Sequence, residues 1–575
     1  MAKASTLGVW LLLATLAFVA RAANVTVNWD ITYVYNVNPD GLAARWVIGV
    51  NGSWPIPAIN VTEGDLLILS VKNSLNVSTS LHTHGMFQNG TGYYDGVPGV
   101  VQCPIQPGQS FTYRIPMQQH GTYWIHAHYK GQYGDGLRTA LIIKPKAAEV
   151  YKYDQEYTVV LSDWYHTPHD DLMVWFMSPY NPTGSEPIPD STLINDNSDN
   201  STFAITAGKT YRFRLINVSL MPSMFISIDG HNMTIIEVDG IDVQPYTVQS
   251  FAITTAQRYS ILVTALNTTT QNFQFHADTD PSMLDFPDKC TKPNATATLI
   301  YNATAPTAVM DRVPWNMTFN DMELVPVVPV AAVDPDTSFE LNVILNVFDD
   351  ASNHATFNNI VYAAPPVTPA LWTALTMGPQ ATDPTVYGQN SHPLVLQHNQ
   401  MVQVVINNLD VKGHPFHLHG HVFQVVFRST EAGQYYNSSI VIPPQPNPVR
   451  RDTVIVPGTG SAVLRFRADN PGIWLIHCHI EWHFEAGLAA TFIEAPLEIQ
   501  SRIAVPQELS NFCTNNGFKT SGNAMGNNGT DLTGYQLTAQ PLSGNFETKG
   551  IISLVVTIVV ALLGLGTVVW FGHHQ

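Results

Sequence analysis

Seven consecutive residues, His477-Cys478-His479-Ile480-Glu481-Trp482-His483, hold three imidazoles and one thiol. In an extended strand successive side chains point to opposite faces, so His477 and His479 share one face while Cys478 projects from the other. One short strand is thus expected to serve two metal centres. A thiolate with imidazole partners and no second cysteine suits a trigonal blue-copper site better than a tetrahedral zinc site. The alternative, a buried strand of satisfied histidines, would fill a core with groups that are costly to desolvate.

Paired histidines recur elsewhere. His82/His84, His126/His128 and His417/His419 repeat the i, i+2 spacing, and with His477/His479 they supply eight imidazoles. One such pair is weak evidence, since most lone histidines are surface or core residues; four in one chain are not. Cys478, His483 and His414 add two nitrogens and a sulfur. The inventory suffices for three coppers in one cluster and one blue copper outside it. His120, His166, His231, His276, His354 and His392 lack a partner at ligand spacing and are read as structural.

The elements that must position these residues are short strands. Segments such as "NVTVNWDITYVYNV", "DLLILSVKN", "TYRFRLINV", "MVQVVINN" and "AVLRFRA" alternate β-branched and aromatic residues between Gly, Pro and Asn turns. The class is all-β. A loose repeat places Glu63-Gly64-Asp65, Ala207-Gly208-Lys209 and His398-Asn399-Gln400 each before a strand ending in Asn. With 575 residues, more than one core organises, this predicts three β-sandwich domains, at 23–145, 146–320 and 321–500. Pro-rich connectors such as Val325 to Asp336 link them.

The flanks speak of compartment. Residues 1–22 read as a secretory signal, with Lys3, an apolar run from Leu7 to Val19, and Ala20-Arg21-Ala22 as cleavage site. Asn-x-Ser/Thr sequons at Asn24, Asn51, Asn76, Asn89, Asn217, Asn294 and Asn437 fit a glycosylated surface. Residues 501–550 read as an extension and flexible spacer, rich in Gly, Asn, Ser and Thr from Thr514. Residues 551–571 are apolar and uncharged, long enough to span a bilayer, and leave a short cytoplasmic tail at 572–575. Lipid-anchor processing of this tail is the rival reading. A net charge of −18 argues against nucleic acid as partner and for cationic substrates. Of the four cysteines, removing Cys478 leaves an odd number; Cys103 with Cys513 is the preferred disulfide, and Cys290 is unexplained.

The four histidine motifs, in this order and spacing, resemble those of the multicopper oxidases, over the whole exported body. The resemblance implies three cupredoxin-like Greek-key β-sandwich domains and four copper ions, with the trinuclear cluster between the first and third domains. By motif position, His82 and His417 are the expected type 2 ligands. His84, His126, His128, His419, His477 and His479 are the expected type 3 ligands. His414, Cys478 and His483 are the expected type 1 ligands, with Leu488 where some members carry an axial Met. Asp95 and Glu481 look like acids near the cluster, as proton donors or as orienting partners of the ligands.

Copper ligands do not name a reductant. A hard cation such as Fe(II) wants carboxylate oxygens near the type 1 histidines, whereas a phenol wants an apolar cleft. Acids occur in three contexts matching the membrane-anchored fungal ferroxidases: Glu186 in "NPTGSEPIP", Asp285 in "SMLDFP" and Asp410 in "NNLDVKGHPFH". The resemblance therefore implies a ferroxidase using Fe(II) and O2 in iron uptake, partnered by an iron permease in the same membrane. The expected placement is a single-pass type I protein of the cell membrane with an extracellular body, or of the vacuolar membrane. A laccase-like phenol oxidase, a cuprous oxidase or a copper-handling membrane subunit are the alternatives.

Overall fold

A computed structural model describes residues 22–314, 319–542 and 548–574. The expected signal segment lies outside the described residues apart from Ala22. Strands at the periphery alternate: Ser110–Pro116 turns Phe111, Tyr113 and Ile115 inward and Ser110 and Arg114 outward. Gly121–Ala127, Met401–Asn408 and Gly472–Cys478 are buried along their whole length.

Six sheets pair into three sandwiches. The first joins the sheet built on Asn24–Val37 and Leu66–Asn73 to the one holding Gly121–Ala127 and Leu81–His84. The second and third each join a six-stranded to a five-stranded sheet. In each sandwich the opening strand runs parallel to the strand that follows the repeated turn: Asn24–Val37 with Leu66–Asn73, Gln155–Trp164 with Thr210–Asn217, and Thr337–Val347 with Met401–Asn408.

The Asn that ends each of those strands is a clamp. Asn73 Nδ2 donates to the carbonyls of Val77 and Ile105, Asn217 Nδ2 to those of Pro222 and Ile253, and Asn408 Nδ2 to those of Lys412 and Val456. All three are buried, and each satisfies loop carbonyls that water cannot reach. Asn217 is therefore no glycosylation site in the folded chain, which corrects its reading as a surface sequon. The other six sequon asparagines named above are exposed.

Two further expectations change. The histidine-cysteine stretch is not one strand: Gly472–Cys478 ends at the thiol and a one-turn helix, Glu481–Glu485, presents His483. The segment read as a flexible spacer is anchored to the body at several points as far as Pro541, although much of its surface is exposed. Asn523 and Ala524 are fully buried, the Tyr535 hydroxyl accepts from Asn390 N, and Phe348 bridges to Pro541. Its Gly and Asn residues make tight turns, as where Asn523 Nδ2 donates to the carbonyls of Gly529 and Asp531. Cys103 and Cys513 form a disulfide, while Cys290 is a buried free thiol. The apolar helix runs from Thr548 to His573, longer at both ends than expected, and no part of its apolar stretch is covered by the body.

Candidate metal centre

Two antiparallel strand pairs aim the histidines at one another. In the first sandwich His82 lies opposite His126, and His84 opposite Trp124. In the third, His417 lies opposite His477 and Phe416 opposite Cys478. The i, i+2 spacing keeps each pair on one face, and the two faces meet between the sandwiches. There His84 stacks on His417 with ring centroids 3.7 Å apart, and His82 on His419 at 4.0 Å.

The donor atoms gather in small groups. His82, His84 and His417; His84, His126 and His479; and His128, His419 and His477 each hold ligand atoms within 4.8 Å of one another, all buried. Outward nitrogens are engaged. The Nδ1 atoms of His82, His126, His417 and His477 lie 2.7–2.9 Å from the carbonyls of Asp95, Ala127, Asp452 and Cys478. Each Nδ1–H thus donates, which leaves Nε2 as the inward lone pair. The Nε2 atoms of His82, His126 and His417, and both nitrogens of His479, are buried with no hydrogen-bond partner. Burial, reinforced by the neighbouring imidazoles, holds His84, His126, His419, His477 and His479 well below the usual histidine range and takes His128 to about 3. A set of neutral, orphaned imidazoles is a set of metal donors, and this fits copper.

On the other face of the Cys478 strand, Cys478 Sγ lies 3.7 Å from His414 Nδ1 and 3.8 Å from His483 Nδ1. All three residues are buried and form a further group. Burial pushes the Cys478 thiol up, so loading a metal here releases a proton. Leu488 is fully buried beside it, its carbonyl accepting from Cys478 N at 3.1 Å.

The outward nitrogens here meet carboxylates. His414 Nε2 lies 2.9 Å from Asp410 Oδ2, and His483 Nε2 lies 3.0 Å from Glu186 Oε1. Asp285 joins them through Lys412, whose Nζ is 2.5 Å from Asp285 Oδ1 and 3.0 Å from Glu186 Oε2. Burial raises the Glu186 carboxyl, but His483 and Lys412 outweigh it and bring it down to about 2.

Asp95 reaches both sandwiches, with Oδ2 2.7 Å from His419 Nδ1 and Oδ1 3.1 Å from His82 Nδ1. Burial raises it, and those two rings more than offset this, so it stays ionised. Glu481 is buried, and burial with the adjacent Glu485 pushes it above the usual carboxylate range, partly offset by His169.

Two residues escaped the sequence reading. Asp452 accepts both guanidinium nitrogens of Arg258, at 2.7 and 2.6 Å, and lies 3.4 Å from His84 Nε2. His169 stacks on Trp482 and sits 3.4 Å from Glu485, which with Asp170 outweighs burial and raises it to about 9. Neither has a local motif. The histidines read as structural form no donor group among the described residues: His166 meets Asp40, His276 meets Asp229 and His354 meets Asp350.

Family models described as multicopper oxidase match residues 31–148, 155–304 and 363–498. The iron multicopper oxidase fer1 of Mycosarcoma maydis is 44% identical, covering 98% of this chain and 95% of its own. The iron transport multicopper oxidase fio1 of Schizosaccharomyces pombe is 41% identical, covering 98% and 91%. Among solved structures, Fet3p, a multicopper oxidase that functions in iron import, superposes with a TM-score of 0.86 at 38% identity, over 91% of this chain and 100% of that one. The laccase of Botrytis aclada gives 0.74 at 29% identity, over 86% and 92%.

Proposed function

The chain belongs to the multicopper oxidases, and from that premise we propose that it is a ferroxidase serving iron uptake. Four Fe(II), one O2 and four protons give four Fe(III) and two waters. Four coppers are assigned: type 1 would be held by His414, Cys478 and His483, with the apolar Leu488 side chain near the Cys478 strand; type 2 by His82 and His417; and the two type 3 ions by His84, His126, His128, His419, His477 and His479. When bound, copper supplies the redox chemistry, taking electrons singly and passing four to dioxygen.

One observation carries the substrate assignment: Asp410 and Glu186 hydrogen-bond the outward nitrogens of His414 and His483. A hard cation held by these oxygens and by Asp285 sits one side chain from the type 1 donors, and anionic oxygens favour the more highly charged Fe(III). Cys478 is peptide-bonded to His477 and His479, so a few covalent bonds join the two centres. Asp95 orients His82 and His419, and Glu481, whose carboxyl burial pushes above the usual carboxylate range, is assigned as a proton donor towards water formation.

The apolar helix supports anchoring in a membrane. The disulfide and the exposed sequons support a body on the exoplasmic side. Iron transport by the relatives supports a permease partner that takes the Fe(III).

Replacing Glu186, Asp285 and Asp410 together by Ala is expected to lower kcat/KM for Fe(II) by at least ~100-fold, with blue absorption and phenol oxidation retained. Steady-state oxygen uptake measures this, and unchanged iron kinetics would return the protein to the phenol oxidases.

A further inference from the structure

Lys412 stands among the acids assigned to iron. Its ammonium is 3.0 Å from Glu186 Oε2 and 2.5 Å from Asp285 Oδ1, and its side chain is only 17% exposed. The loop beneath it is fixed: Asn408 Nδ2 donates to Lys412 O at 2.7 Å, and Thr459 N donates to Asp410 O at 2.7 Å. Both oxygens of Glu186 are engaged, Oε1 by His483 and Oε2 by Lys412. A substrate cation approaching that carboxylate meets the like charge of the ammonium within a few ångströms.

Lysine suits such a place in a way arginine does not. Its charge is a compact point on a flexible four-carbon stem, with no planar fork to lock it to a carboxylate. It can swing away from Glu186 and Asp285 while the backbone of residues 408–412 stays clamped. We propose that Lys412 is a tethered competitor for the iron site, a specificity-determining residue whose ammonium neutralises the acids and is displaced by Fe(II). This rests on the ferroxidase reading above. Between turnovers the ammonium balances the charge of the buried Glu186 carboxylate, which would otherwise keep only the His483 imidazole. The same ammonium, returning, favours departure of the trivalent product. The cost is weaker substrate binding than the acids alone would give.

The test uses the copper-loaded, full-length protein. Lys412→Met keeps the length of the stem and removes the charge, whereas Lys412→Arg keeps the charge; blue absorption and copper content show that both are folded and loaded. In Lys412→Met the KM for Fe(II) is expected to fall on the order of tenfold, since a like charge within a few ångströms is removed. Calorimetric titration with Mn(II), an oxygen-preferring cation used here as a redox-inert probe, is expected to show a parallel gain in affinity, and Lys412→Arg none. A lysine that merely supported the loop would, on removal, weaken binding. An unchanged or higher KM with unchanged or weaker Mn(II) binding in Lys412→Met would therefore overturn the proposal. Glu186→Ala with Asp285→Ala in the same assays separates the two readings. Loss of iron turnover there with no effect of Lys412→Met removes only the competitor, whereas parental Fe(II) kinetics there removes the iron site itself.

Discussion

Where the first and third sandwiches meet, imidazole rings stack in pairs, His84 on His417 and His82 on His419, and several inward nitrogens have no partner. Where the second sandwich meets the other two, the buried groups are arginines already matched with carboxylates. Arg258 pairs with Asp452 and donates to Thr122 O, and Arg451 reaches Asp239, Asp321 and the Tyr259 hydroxyl. Arg212 and Arg214 enclose Glu237, which also accepts from Thr122 N. The same fold, used three times, thus makes one seam that is complete only with metal and others that neutralise themselves. At these arginine seams the second sandwich carries ion pairs where the others carry imidazoles, and so holds the other two in register, while its Glu186 and Asp285 reach His483 and Lys412 of the third. Asp452 links the two kinds of seam, since it pairs with Arg258 while lying against His84.

Stripping the copper should separate the seams most strongly. A ligand that binds only the folded state adds about 4 kcal/mol when free at 1,000 times its Kd, and several sites act together here. Thermal unfolding should fall sharply, and hydrogen exchange should rise in Leu81–His84 and His414–Leu418 before it rises around Arg258 and Tyr259. Equal loosening of both seams would break the comparison.

Arg451→Met probes the opposite seam. It removes the guanidinium that Asp239 and Asp321 share, while Arg258 and Arg428 remain beside them, so the cost falls towards the lower end of the ~3–5 kcal/mol for breaking a buried pair. Unfolding of the copper-loaded variant should show that loss while the blue absorption stays; bleaching of the blue band would mean that the ion-pair seam also shapes the metal sites.

Acid gives the smallest and most graded effect. Burial raises Glu237, but Arg212 and Arg214 outweigh it and hold it at about 2 in the folded protein, against 4.5 ordinarily. As pH falls the unfolded chain takes up this proton first. The contribution is therefore full above pH ~4.5 and lost as the pH drops towards ~2, about 3 kcal/mol in all. Unfolding free energies measured across that window should slope less in Glu237→Gln.

The paired histidines were legible because a strand's period of two makes His-x-His a local signature, and Cys478 stood out for having no second cysteine beside it. The turn-plus-strand repeat was legible for the same reason, although the task of its closing Asn was not, since the carbonyls it holds come from loops folded back over it. Arg258 and Asp452 are 194 residues apart and follow no local pattern. Lys412 was passed over although Asp410, two positions earlier, was singled out; only the fold brings Glu186 and Asp285 to its ammonium. Composition misled at residues 514–542, because Gly and Asn make ordered tight turns as readily as they make loose chain.

The Cys103–Cys513 bond joins positions 410 apart, so the body is a covalent ring, and the apolar helix follows on the chain beyond its closing point. A single protease cut in any loop between those cysteines opens the ring without dividing the molecule. The two pieces would run as one band on a non-reducing gel and as two only after reduction. The piece bearing His82 and His84 stays tied to the C-terminal helix through sulfur even when the backbone between them is severed. Release of an intact body from that helix requires a cut beyond Cys513, where the chain is pinned to the body at Asn523, Ala524 and Tyr535 and many residues between those anchors are exposed.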